Sequence, residues 1–176
     1  MYGMKKDQLQ LLPHDPAWED DFLTERNRIS ASLDDRSVLI EHVGSTAIPT
    51  IHAKPIIDIA ILCCGKELES LAQALLRIGY DYRGQFGEEC GHYYAVLDRN
   101  NVRLCQAHIF TEANADWHSK LRFRDVLRRN PELAREYDDY KQRLAKVVAN
   151  KSEYAEIKTR WLDTFILKVM RAALDS

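Results

Sequence analysis

The sequence lacks the signatures of several common activities. No GxxxxGK[ST] run occurs, which excludes a P-loop ATPase or kinase. No GxSxG elbow marks a serine hydrolase, and no GxGxxG turn marks a dinucleotide-binding fold. None of the 4 cysteines forms a CxxC pair, which argues against a zinc site of that kind. Cys63 and Cys64 are adjacent and Cys105 sits in an apolar run, so the cysteines read as buried free thiols of a reducing cytosol. No apolar run approaches the roughly 20 residues of a membrane span. The stretch "MYGMKKDQLQLLPHDPAW" carries no long apolar segment of a signal peptide. An excess of charge is missing too. A net charge of −2 gives no broad basic field for nucleic acid or an anionic membrane, so any anion site must be local. Together these absences lead us to expect a soluble cytoplasmic protein with neither membrane nor nucleic acid as partner.

What is present is an ordinary globular chain of 176 residues, 45% hydrophobic and 30% charged, long enough to bury a core without staples. "HDPAWEDDFLTERNRISASL" reads as a helix, with Asp15 as N-cap, Pro16 at the first helical position and Trp18, Phe22, Ile29 and Leu33 as its apolar stripe. "SVLIEHV" (37–43) and "PIIDIAILCC" (55–64) read as strands, the second buried. "GKELESLAQALLRIGY" is a helix stopped by Gly79. "GHYYAVLDRNNVRLCQAHIFT" is two strands about a turn at Arg99, Asn100 and Asn101.

From Asp116 onward the pattern is helical. A first helix is broken at Asn130-Pro131. A second puts Leu133, Tyr137, Tyr140, Leu144 and Val147 on one face, and a third, with Ser152 as its cap, does so with Tyr154, Ile157, Trp161, Phe165 and Val169. The fold class expected is α+β: a mixed sheet flanked by helices over 1–115, and a helical part, 116–176, closing over its open face. No internal repeat or low-complexity segment interrupts the chain.

Two features within "IEHVGSTAIPTIHAKPIIDIAI" bear on chemistry. Gly44-Ser45 follows a strand, and such a turn with free N–H groups suits a phosphate; a plain tight turn is the alternative. Asp58 lies inside an apolar strand, with Ile56 and Ala60 on its own face and Ile57, Ile59 and Ile61 on the other. A carboxylate there needs a metal ion or a cationic partner, and a structural ion pair with Lys54 or an arginine would serve as well.

Taken together, Gly44-Ser45 and Asp58 in the next strand resemble the hG[GS]…Dh[DE]h signature of the DNA polymerase beta-like nucleotidyltransferases. "EHVGSTAIPTIHAKPIIDI", "LRFRDVLRRNPELAREYDDYKQRLA" and "YAEIKTRW" further resemble the GrpB family, usually placed in that superfamily, and the likeness runs from about Leu12 to Phe165. The resemblance implies a nucleotidyltransferase-like fold. It also implies that Gly44 and Ser45 contact phosphate and that Asp58 holds a divalent metal. The second acid of the signature falls on Ala60, which binds no metal, a departure that GrpB relatives share.

His108 is the candidate to compensate, as metal ligand or base, in a strand face with Leu104 and Gln106. An imidazole ligand would bring zinc or manganese into question beside magnesium. A core histidine satisfied by hydrogen bonds is the alternative. One of Glu41 and His42 is expected to face the cleft, and Glu88 or Glu89 could supply a carboxylate. Lys54, Arg124, Lys141 and Lys158 are the expected phosphate-neutralising cations; Arg124 and Arg128 share a helix face, and Asp125 is expected to pair structurally. Solvated surface charge is the plain alternative for these.

The reading is a nucleotidyltransferase-like protein that binds a nucleotide or other phosphorylated small molecule with a divalent metal (Mg, Mn or Zn), with nucleotidyl transfer as its candidate reaction. The alternatives are a non-catalytic binding or regulatory module with a degenerate site, and a structural protein acting through its helical surface.

Overall fold

The computed structural model describes residues 2–6, 8–33, 38–87 and 91–172. The elements follow the expected order, with two strands added, at Met4–Lys5 and Tyr80–Gln85. Strand β1 (Met4–Lys5) precedes helix α1 (Ala17–Ala31), strand β2 (Leu39–Val43), a 3₁₀ turn (Ser45–Ala47) and strand β3 (Ile57–Leu62). Helix α2 (Leu68–Arg77) and strands β4 (Tyr80–Gln85), β5 (His92–Arg99) and β6 (Val102–Phe110) come next. Helices α3 (Ala115–Arg129), α4 (Pro131–Val147) and α5 (Lys151–Ala172) complete the chain. The sheet is mixed, ordered β2-β3-β6-β5-β4, with β1 added against β6. Only β3 and β6 run parallel; every other pair is antiparallel. This is the α+β architecture that the pattern of elements predicts.

Local chemistry accounts for the boundaries. Pro16 already has helical dihedrals, and Asp15 Oδ1 accepts from Ala17 N at 3.0 Å. Asn100 (φ 49°) and Asn101 (φ 63°) form the left-handed two-residue turn between β5 and β6, a conformation asparagine tolerates. Asn130 caps α4 through Leu133 N at 3.1 Å, with Pro131 in its first turn. Asn150, rather than Ser152, caps α5: its Oδ1 accepts from Ser152 N and Glu153 N, each at 3.0 Å.

The two faces of the sheet bury different things. Ile57, Ile59 and Ile61 pack with Trp18, Phe22 and Ile29 of α1 and Leu71 and Leu75 of α2. Burying each such isoleucine contributes roughly 1.5–3 kcal/mol. On the opposite face Val43, Ala60 and Phe110 meet Trp117 of α3. A further cluster joins Ile48 and Ile51, from the segment between β2 and β3, to Leu127, Leu133, Tyr137, Phe165 and Val169 of the C-terminal helices. Those helices are thus fastened to the segment that follows the Gly-Ser turn.

Three expectations are corrected here. Val147 is 79% exposed, because the helix ends there and its last turn projects past the cluster. Cys64 is exposed, while Cys63 and Cys105 are buried, all three free thiols; Cys90 lies outside the described residues. Leu104 does not stay on the Gln106 and His108 face. A register shift at Leu97/Asp98 leaves it opposite no partner, and it packs against the α1/α2 cluster. Among the described residues no helix is long and apolar enough to cross a membrane.

Candidate functional site

The site begins where β2 ends. Val43 pairs with Asp58, so the chain leaving β2 turns directly over that carboxylate. Gly44 makes the turn at φ 71°, a left-handed conformation that side chains resist. A Cβ at Gly44 would fall on Asp58 Oδ2, at 2.8 Å from Asp58 Cβ and 2.9 Å from Cγ. Glycine is therefore required twice, for its dihedral and for the close approach.

Asp58 accepts a hydrogen bond from Gln106 Nε2 at 2.8 Å, and Gln106 Oε1 accepts from Tyr94 Oη at 2.7 Å. The register explains this: Asp58 faces Gln106 across the parallel β3–β6 ladder. No ion pair to Asp58 occurs among the described residues, so the neutral amide of Gln106 is its direct partner. Burial raises the Asp58 pKa, while the Gln106 hydrogen bond and Lys158, Lys120 and Lys54 pull it down.

Above Asp58 lies a cleft with about 470 Å³ of empty space, open to solvent and lined by Ser45, Thr46, Lys54, Asp58, Gln106, Lys141, Tyr154 and Lys158, among others. Ser45 Oγ lies 3.3 Å from both Tyr137 Oη and Lys141 Nζ. Lys141 is 2% exposed, also donates to the His52 carbonyl, and sits 4.4 Å from the centroid of the Tyr137 ring. Lys54 Nζ lies 4.4 Å from the Tyr154 centroid. Burial lowers the pKa of both to about 7, helped at Lys54 by Lys158 and Lys151 and at Lys141 by Lys158, against the pull of Asp138. Asp138 is fixed by His52 N at 2.7 Å and His52 Nδ1 at 2.8 Å, which ties α4 to the segment before β3.

The structure thus brings Gly44, Ser45, Lys54, Asp58, Lys141 and Lys158 together. It does not bring Arg124 among them. Arg124 donates to Glu41 Oε2 at 2.7 Å, to the His42 carbonyl at 2.9 Å and to Asp125 Oδ1 at 2.8 Å, so it docks α3 on β2. Arg128 likewise donates to the Ala47 carbonyl at 2.7 Å. The shared face of these arginines is real, but its partner is the protein. Asp125 pairs as expected. Glu41 stands on the Asp58 side of the sheet, opposite Ala60, whereas His42 points into the other layer, stacked on Phe22. Glu88 and Glu89 lie outside the described residues.

His108 stands opposite Ala60, one step along β6 beyond Gln106 on the same side. It belongs to a separate chain of hydrogen bonds. His92 Nε2 meets His108 Nδ1 at 3.0 Å, and His92 Nδ1 meets Asp116 Oδ2 at 2.9 Å. Burial, Lys120, His92 and Lys158 hold the His108 pKa well below the usual imidazole range. Gln106 as the partner of Asp58, Tyr154 and Thr46 as cleft walls, and the His92–Asp116 pair are beyond the reach of the sequence reading. The bulge at Leu97/Asp98 accounts for His92 and Tyr94, since an unbroken hairpin would pair Tyr94 with Ala107 and turn it the other way.

Does the donor set suit a metal? Asp58 offers one carboxylate, Ala60 none, and no group of three or more His, Cys, Asp or Glu able to hold a metal occurs among the described residues. A resident zinc ion wants about four protein or water ligands. Magnesium is commonly held by one or two carboxylates with substrate phosphates completing its shell, and that arrangement fits Asp58.

Comparison with known proteins places these motifs. A crystal structure of the conserved protein GrpB from Enterococcus faecalis aligns with TM-score 0.80 and 30% identity, over 94% of this chain and 98% of that one. A UPF0157 protein of Deinococcus radiodurans is 34% identical over 96% of this chain and 84% of its own length. The Cid1 poly(U) polymerase, in an H336N mutant bound to MgATP, aligns with TM-score 0.46 and 14% identity, over 74% of this chain and 45% of that one; so distant a likeness says nothing of activity. The family model described as GrpB protein matches residues 8–168, and the chain belongs to the GrpB family.

Proposed function

We propose that the cleft binds a nucleotide or closely related phosphorylated small molecule together with a divalent metal. The observation that carries this reading is the convergence of Ser45, Lys54, Lys141 and Lys158 around the single carboxylate of Asp58 in one open cleft. Three ammonium groups against one carboxylate suit a polyanion, and Ser45 adds a hydroxyl donor at the turn where Gly44 lets the backbone approach. Asp58 would hold the metal, which when bound would neutralise charge on the phosphates and polarise the phosphorus under attack. Lys54, Lys141 and Lys158 would hold phosphate oxygens and stabilise the charge that develops on them. His108, beside the cleft, would take the proton of an acceptor hydroxyl. The 1–115 part would form the floor of the site and the 116–176 helices its wall, in a cytoplasmic protein.

A second reading is favoured by a specific observation. Ala60 stands where the second acid of the signature would be, and Gln106 gives Asp58 an amide partner, so the cleft has phosphate-binding groups with only one carboxylate for metal. On that reading the protein is a nucleotide-responsive module without turnover.

Calorimetric titration of ATP and CTP with Mg²⁺ or Mn²⁺ tests both. Binding lost in Ser45→Ala and Asp58→Ala supports the proposal, and binding absent or indifferent to both substitutions overturns it. Pyrophosphate release with any of a panel of acceptors selects the enzyme, and binding without release across that panel selects the module.

A further inference from the structure

Outside the cleft proper, the structure holds a hydrogen-bonded chain of titratable groups that the cation cluster does not use: half-buried Asp116, buried His92 and half-buried His108. Its geometry fixes proton positions. Asp116 is at the first turn of α3, and its hydrogen bond from His92 is the largest influence holding its carboxyl below the usual range, so it is an acceptor only. His92 is 3% exposed, stacked on Phe110 with centroids 4.4 Å apart and against Phe86 at 4.8 Å. A neutral imidazole carries one N–H. Facing a carboxylate at 2.9 Å, His92 places that proton on Nδ1. We take His92 as that neutral imidazole, so its Nε2 accepts and His108 Nδ1 donates across the 3.0 Å contact. His108 thereby spends its own proton on Nδ1, and its Nε2, which makes no hydrogen bond among the described residues, is left bare.

We propose that His92 and Asp116 are positioning residues that lock His108 in the Nδ1–H tautomer, so that an unprotonated Nε2 is presented beside the cleft to a donor group such as a hydroxyl or water. The inference deepens the reading of His108 as the base of the site. It also gives that base a specificity: the atom it offers attracts a proton donor and repels an anionic phosphate oxygen. Phosphate is therefore left to the lysines, and His108 to the acceptor side. A histidine merely filling a core position would have no need of a two-membered relay that ends on an ionised carboxylate.

Nitrogen NMR of imidazole-labelled protein at neutral pH reads the tautomer directly, with His108→Gln assigning the signal. The expected spectrum shows His108 Nε2 in the unprotonated range and Nδ1 in the protonated range. Asp116→Ala should shift both signals toward a tautomer mixture, while Asp116→Asn, whose Oδ1 still accepts, should restore the wild-type pattern. A protonated Nε2 in the wild-type protein overturns the proposal without any variant. So does a folded Asp116→Ala whose His108 signals are unchanged. The spectrum needs no nucleotide, so its failure and the failure of the binding reading are told apart.

Discussion

Replacing Gly44 with alanine separates a turn that merely closes from one built around a carboxylate. Two costs act at Gly44. Its φ of 71° with ψ −169° is open essentially to glycine alone, a strain of about 1–3 kcal/mol for a side chain. The new methyl would also collide with Asp58, whose Cβ, only 2.8 Å away, is anchored in a strand with fully buried neighbours. The carboxylate must move, and moving it breaks the 2.8 Å bond from Gln106. Losing a hydrogen bond to a charged group costs about 1.5–3 kcal/mol. Gly84→Ala is the control: φ is 75° there, but nothing lies within 4 Å of its Cβ. Both variants place a side chain at positive φ and share the reduced entropy of the unfolded chain, while the ψ of −169° at Gly44 puts that position in a region open essentially to glycine. Their difference therefore carries the collision, at least about 1.5–3 kcal/mol by the hydrogen-bond figure above, and the Asp58→Ala cycle separates it from backbone strain.

Urea unfolding reads this difference as a midpoint shift of about 1 M between the two variants, with unchanged slope. Adding Asp58→Ala to Gly44→Ala removes the collision with Oδ2 and Cγ, so the double variant should lose less than the sum of the singles. Equal destabilisation of Gly44→Ala and Gly84→Ala, or strict additivity in the double variant, would show that the turn does not depend on Asp58.

Further outcomes are expected. Lys54 and Lys141 have pKa values of about 7 in the folded protein against about 10.4 in an unfolded chain, so between those values the unfolded chain binds more protons and stability should rise with pH. Affinity for a phosphate monoester should fall over the same range, because its second pKa near about 6 leaves it already ionised while the lysines still titrate; Lys54→Met should flatten both profiles. Arg124→Ala should lower stability by about 1.5–3 kcal/mol, since it removes the charged donor that ties α3 to Glu41 and the His42 carbonyl, yet leave ligand affinity unchanged in titration. Thr50 follows Pro49 with φ 79°, so Thr50→Gly should relieve about 1–2 kcal/mol of strain against about 0.5–1 kcal/mol of glycine entropy, a small net rise in melting temperature. Asn150→Ala should cost about 1 kcal/mol through the lost cap of α5, whereas Ser152→Ala should leave the unfolding midpoint nearly in place.

Short-range rules made much of this legible. The alternation in β3 fixes the side of Asp58 and the opposite side of its three isoleucines, and the Gly-Ser turn is separated from Asp58 by one short connection that the sheet folds back. Long-range choices were not legible. Arg124 and Arg128 are four apart and do share a face, but only the docking of α3 on β2 decides that the face meets Glu41 and backbone carbonyls. Likewise the sequence places His108 on a strand face, while its partner His92 depends on a bulge that shifts the hairpin by one residue. A single inserted residue reverses which side chains meet, and no composition rule announces it.

The departure at Ala60 becomes intelligible once the cleft's charges are considered together. Burial pushes Asp58 toward its neutral form, and burial with repulsion from Lys158 pushes Lys54 and Lys141 toward theirs. Burial therefore weakens the charged forms on both sides of the cleft. A polyanion would favour the charged lysines, and a divalent cation would favour the charged form of Asp58, each making room for the other. By linkage, metal and phosphate binding must then strengthen one another by the same factor. With one carboxylate in place of two, most of the metal's oxygen ligands have to come from the phosphorylated ligand itself. On the proposed function, this chain takes up its metal with the nucleotide rather than before it.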